Sequence, residues 1–109
     1  MANSTWKPYL KFRKLSLCFS VKEKVDVDPL SWRLREISEG VAVLEGYPRG
    51  VKSSHEVYSY RFDKAKFKYP EAKAYLEENN ITELRKYAEL KDDVHALLQK
   101  RNQEGSAHL

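Results

Sequence analysis

Alternation of apolar and polar side chains is the strongest pattern in the first half of this chain. Leu15, Leu17, Phe19 and Val21 take turns with Ser16, Cys18, Ser20 and Lys22, the period of a strand with one face buried. This predicts a first strand over residues 9–22. Val25 and Val27 carry the alternation on until Asp28-Pro29 interrupts it as a turn. Residues 31–37, with Trp32 and Leu34 on one face, and residues 41–45 then read as a hairpin, because Glu39-Gly40 offers a reversal that admits positive φ. A fourth strand from His55 to Phe62 sets Tyr58, Tyr60 and Phe62 on one face and Val57, Ser59 and Arg61 on the other. In-register aromatics of this kind favour packing across a sheet.

The period changes after Pro70, which suits the first turn of a helix because its missing amide leaves no bond unmade there. Ala72, Tyr75, Leu76 and Asn79 share a side, and Asn79-Asn80 is a stop signal. Thr82 is a candidate cap for a second helix, with Leu84, Tyr87, Leu90, Val94, Leu97 and Leu98 following at helical spacing to residue 99 or 100. The expected architecture is α+β, a small antiparallel sheet of about four strands followed by two C-terminal helices packed on one face. Residues 1–102 form one domain in this reading and residues 103–109 a flexible tail. The last helix is long enough to pair with its counterpart in a homodimer.

Composition narrows the class. With 109 residues, 41% of them hydrophobic and 33% charged, the chain suits one soluble domain with a heavily solvated surface. No apolar stretch reaches membrane-spanning length and the start of the chain lacks the apolar core of a signal peptide. An intracellular, cytoplasmic protein without a membrane partner is expected, so the Asn3-Ser4-Thr5 sequon would stay unmodified. Net charge is +4, but residues 1–24 set Lys7, Lys11, Arg13, Lys14, Lys22 and Lys24 against Glu23 alone. That local balance of +5 leaves the remainder near neutral, which suits an anionic partner for the first segment.

Chemistry is sparse. Cys18, the only cysteine, excludes an intrachain disulfide and a thiolate zinc site, and its alternation with Leu17 and Phe19 makes it a packing residue. Ser53, Ser54 and His55 adjoin in a loop, but a hydrolase would also need an acid at His55 and oxyanion donors. His95 reads as a boundary histidine, His108 falls in the tail, and Glu77-Glu78 and Asp92-Asp93 diverge around a helix instead of forming dyads. No cofactor, metal or small-molecule substrate is indicated. Arg61, Lys64, Lys66 and Lys68 are interleaved with Tyr60, Phe62, Phe67 and Tyr69. That is the chemistry of single-stranded nucleic-acid grooves, and equally that of a lysine-protected strand edge.

Residues 40–46 (Gly-Val-Ala-Val-Leu-Glu-Gly), 58–67 (Tyr-Ser-Tyr-Arg-Phe-Asp-Lys-Ala-Lys-Phe) and 71–76 (Glu-Ala-Lys-Ala-Tyr-Leu) together resemble a strand–helix module of tailed-phage morphogenesis proteins associated with prohead proteases. Phe67 and Tyr75 stand where that module is expected to carry tryptophan, and no match to the protease's catalytic segments is present. The resemblance covers residues 40–80 and implies phage or prophage origin, hence a host cytoplasm.

The leading functional expectation is a non-enzymatic module acting through protein contacts or self-association. Trp32, Tyr47, Arg49 and Tyr58 are its candidate contacts if exposed, and the loop 46–54 its adaptable surface. The alternative is nucleic-acid binding through Lys7, Lys11, Arg13, Lys14, Arg61, Lys64, Lys66 and Lys68. A hydrolase built on His55 stands third.

Overall fold

A computed structural model describes residues 15–50, 54–91, 96–97 and 99–100. Its elements run β1 (Leu15–Ser20), a 3-10 turn (Pro29–Ser31), β2 (Arg33–Ser38), β3 (Val41–Gly46), β4 (Glu56–Asp63), α1 (Tyr69–Glu78) and β5 (Lys86–Lys91). The five strands form one sheet in the order β2-β3-β4-β1-β5, with every neighbouring pair antiparallel. Both β4 and β5 therefore run parallel to each other with β1 between them, and α1 is the connection. The α+β class holds, but the expectation of four strands followed by two C-terminal helices does not.

The difference lies at β5, in the middle of the expected second helix. Lys86–Lys91 pairs with β1 from Ser20↔Lys86 to Leu15↔Lys91. Ala88, Glu89, Leu90 and Lys91 are good helix formers, but the preference is worth only tenths of a kcal/mol per residue. Without β5, β1 would present an open edge of unpaired amides and carbonyls beside the core, and pairing removes it. Leu90 is thus a half-buried strand residue. Helical conformation appears at residues 96, 97, 99 and 100, where Leu97 packs against the sheet.

Strand alternation sends two sets of apolar side chains to opposite faces. On the α1 side, Leu17, Phe19, Val41 and Phe62 meet Ala72 and Leu76, with Tyr60, Phe67, Tyr75, Ile81, Leu84 and Tyr87 at the margin. Phe19 and Phe62 pack edge-on at 5.5 Å, and Phe62 meets Tyr75 at 5.6 Å. On the other side Val27, Trp32, Leu34, Ala42, Leu44 and Tyr58 form a second cluster. Every residue of β3 is buried, as a central strand flanked by two apolar faces requires.

Two irregularities shape the strands. Pairing passes from Leu44↔Ser59 to Glu45↔Val57, leaving Tyr58 as the extra residue of a bulge. The bulge takes Tyr58 off the face of Tyr60 and Phe62 and packs it edge-on against Trp32 at 5.3 Å. A second register shift lies between Glu36 and Ser38, at Ile37 on the outer strand. The β2–β3 reversal uses Gly40 at φ +77°, where a Cβ would meet the Lys66 side chain at 3.0 Å.

Local signals set α1. Pro70 lies in its first turn, the Lys68 amide donates to Glu71 Oε1 at 2.9 Å, and Asn80 ends the helix at φ +58°. Among the described residues no helix is long and apolar enough to cross a membrane.

Candidate functional site

Two groups of cationic side chains stand out, each placed by the strand register. The first lies on the outer strand. β3 ends its apolar run with Glu45, which faces Arg33 across the β2–β3 ladder, while Arg35 lies two residues along β2 on the same face. Arg33 Nε donates to Glu45 Oε1 at 2.8 Å; Arg35 donates through Nε to Oε1 at 3.1 Å and through an Nη to Oε2 at 2.9 Å. The carboxylate is 5% exposed, whereas the two arginine side chains are 44% and 53% exposed. Burial pushes the Glu45 carboxyl up, but the hydrogen bonds and charges of Arg35 and Arg33 outweigh it and leave its pKa below the ordinary value. The Arg35 pKa is raised chiefly by its hydrogen bond to Glu45. One buried anion thus holds two half-exposed guanidiniums.

Exposed aliphatic side chains flank this pair in sequence. Leu30, in the turn before β2, is 42% exposed, and Ile37, at the bulge, is 37% exposed. Among the described residues no strand pairs with the outer side of β2.

The second group sits where β1 ends and β5 begins. A cavity of about 400 Å³ is lined there by Ser20, Lys22, Glu23, Lys24, Arg85 and Lys86. The Val21 and Lys22 amides donate to the Tyr58 carbonyl at 2.9 and 3.2 Å, and the Arg85 amide to the Ser20 carbonyl at 2.8 Å. Those bonds fix both chain segments that carry the cations. Lys22 pairs with Glu56 and Arg85 with Glu23, each pair being well exposed.

Of the residues singled out from the sequence, Trp32 and Tyr58 are 4% and 3% exposed. They belong to the core and offer no contact surface. Tyr47 is half-buried against the His55 ring at 5.1 Å, and exposed Arg49 lies 3.6 Å from Asp26. Their loop is tied down by the Val27↔Pro48 bridge and the Asp28-to-Tyr47 and Arg49-to-Asp26 backbone bonds.

Arg61 is fully buried, with Nε donating to Ser59 Oγ at 3.0 Å, so it cannot touch a polynucleotide. Lys64 pairs with Glu89 at 2.7 Å and Lys66 with Glu39 at 3.3 Å, while Lys68 flanks the start of α1. The hydrogen bond from Lys64, with its charge, holds the Glu89 carboxyl below its ordinary pKa. The run 61–68 is therefore divided between the interior and cross-strand ion pairs. Lys7, Lys11, Arg13, Lys14, Ser53, Asp92, Asp93, His95, His108 and the tail 103–109 lie outside the described residues.

His55 Nε2 donates to the Ser31 carbonyl at 2.9 Å, a structural bond that pins the loop to the 3-10 turn. Cys18 is buried, its Sγ 3.9 Å from Ser20 Oγ. Among the described residues no group of three or more His, Cys, Asp or Glu side chains is arranged to hold a metal ion.

Sequence reasoning missed Glu45, Arg33, Arg35 and the Arg85-Lys86 pair. A turn at Glu39-Gly40 alone would set Leu34 opposite Glu45; the register shift at Ile37 brings Arg33 there instead, so the hairpin signal did not reveal the pairing. Arg85 and Lys86 were hidden by the helix assigned to them. Comparison with protein-family models, curated proteins and solved structures finds no match to this chain.

Proposed function

We propose that this chain is a non-enzymatic binding module that acts through protein contacts made by the outer side of β2. The observation that carries this reading is the pair of exposed guanidiniums, Arg33 and Arg35, held by buried Glu45 on an outer strand that also exposes Ile37. Arginine is enriched where binding energy concentrates, and a side chain ordered before contact loses less entropy when a partner arrives. The register irregularity at Ile37 lies on this same strand, and bulges on outer strands re-aim side chains. An extended partner segment bearing carboxylates would find backbone groups along β2 and charge-assisted donors on Arg33 and Arg35.

The likeness of residues 40–80 to a tailed-phage morphogenesis module supports a phage or prophage origin. Phe62, Phe67, Ala72, Tyr75 and Leu76, which carry that likeness, all belong to the cluster between sheet and helix. They serve the fold, which leaves contact to other surfaces. Nucleic-acid binding stays as a second reading because of the cationic cavity at the end of β1.

The test is site-specific photo-crosslinking in extract from cells that express the protein. A photoreactive residue replacing Ile37 should give a discrete adduct that disappears when Arg33 and Arg35 are both changed to Ala, while one replacing Ala74, exposed on α1, should not give that adduct. An adduct with a second copy of the chain would identify the partner as itself. Identical products from both positions, or none from Ile37, would overturn the proposal.

A further inference from the structure

We propose that the cavity at the junction of β1 and β5 is a binding site for a phosphate-bearing ligand, independent of the contact surface on β2. Its cations converge from two distant stretches of sequence. Lys22 and Lys24 follow β1, while Arg85 and Lys86 open β5, and the ladder pairs Ser20 directly with Lys86. The Arg85-to-Ser20 backbone bond and the two amides on the Tyr58 carbonyl hold these stretches together, so the convergence is built into the sheet. At about 400 Å³ the cavity has the size of a small-ligand site.

Charge selects the ligand class. Among the described residues the lining holds four cations and one acid, Glu23. Glu56, paired with Lys22, lies outside the lining. The lining cations outnumber these two acids, although Lys24 already has a partner of its own. Lys86 makes no ion pair with a described residue, and the pairs of Lys22 and Arg85 are exposed, with side-chain accessibilities of 49% and 38% in one and 59% and 68% in the other. Exposed pairs of this kind exchange partners at little net expense.

A carboxylate brings one charge and two acceptors, whereas a phosphate brings up to two charges and three acceptors. That suits an arginine fork beside lysine point charges. Ser20, half-exposed on the lining, adds a hydroxyl donor. The phosphate source is either a free polyphosphate or the phosphodiester backbone of a single-stranded nucleic acid, since both present the same chemistry.

The test is an amide NMR titration of the full chain with sodium tripolyphosphate at about 50 and 200 mM salt, repeated with a thymidine oligonucleotide. The amides of Ser20 to Lys24, Arg85 and Lys86 should shift together. Changing Arg85 and Lys86 to Gln, and separately Lys22 and Lys24 to Gln, should weaken binding. The slope of log affinity against log salt should fall by about 1 for each cation removed. Lys66→Gln, in the turn beyond the other end of β4, should leave affinity unchanged. Oligonucleotide binding at the same amides, competed by tripolyphosphate, would identify a phosphodiester; tripolyphosphate binding alone would identify a free phosphate ligand. No shift at the lower salt, shifts spread equally over Lys64 to Lys68, or full affinity in both double variants would overturn the site. Because the crosslinking test reads a different strand, either proposal can fail without the other.

Discussion

The two cationic groups of this sheet are held in opposite ways. Across the β2–β3 ladder the anion is buried and the cations reach outward, whereas at the end of β1 the cations line a cavity and their acids are exposed. A buried carboxylate is costly to leave charged and unpaired, so at neutral pH Arg33 and Arg35 are held to it. Exposed Glu23 and Glu56 are stabilised by water whether or not they are paired, so Arg85 and Lys22 are free to change partner. One arrangement yields a surface of fixed shape, and the other yields charge available to an anion.

The largest expected effect comes from breaking the buried anchor. Glu45→Gln should lower stability by about 2 kcal/mol, read from urea unfolding, because it strands buried donors and acceptors while the exposed arginines rehydrate.

Acid should weaken the same region. The folded-state pKa of Glu45 is depressed, so its contribution is complete above the unfolded value, near 4.3, and is lost as pH falls through the folded value. Stability of the native chain should therefore fall with pH below about 4.3, measured by thermal unfolding across an acid series.

Next in size, the fork should outweigh the single bond. Arg35→Ala, which removes two hydrogen bonds to Glu45, should cost about 1 kcal/mol, and Arg33→Ala, which removes one, about half as much. Equal losses would show that the two guanidiniums share the carboxylate differently.

Smallest of all on stability is Glu23→Gln, which should leave the melting temperature unshifted yet tighten tripolyphosphate binding by freeing Arg85. A clear loss of stability would place this pair with the buried kind and erase the contrast.

Much of this architecture is legible in the chain. The alternation around Leu17 and Phe19, the hairpin at Gly40, the strand through Phe62 and the helix opening at Pro70 all obey local rules. The β5 segment does not. Lys86-Tyr-Ala-Glu-Leu-Lys91 carries helix formers and fits either period, and the open edge of β1, a partner about seventy residues away in sequence, decides between them. Tyr58 was misplaced for a related reason: strict alternation assigns it to the face of Tyr60, and only the bulge opposite Leu44 and Glu45 turns it toward Trp32. Once β5 is read as helix, Arg85 and Lys86 cannot be brought beside Lys22 and Lys24, so the cationic cavity is invisible from sequence. Arg61 shows the converse, since its place in a basic run suggests a surface role although the sheet buries it completely.

The claim that one buried carboxylate organises β2 is tested most directly by urea unfolding of the native chain and Glu45→Gln at neutral pH and at about pH 3, below the ordinary carboxyl range. As pH falls below the ordinary carboxyl range the native chain progressively loses the stability that the depressed Glu45 carboxyl supplies and approaches the amide variant. The stability gap should therefore be open at neutral pH and narrow in acid. A gap of the same size at both pH values would contradict the account, because the loss would then come from packing and not from the charge that holds Arg33 and Arg35.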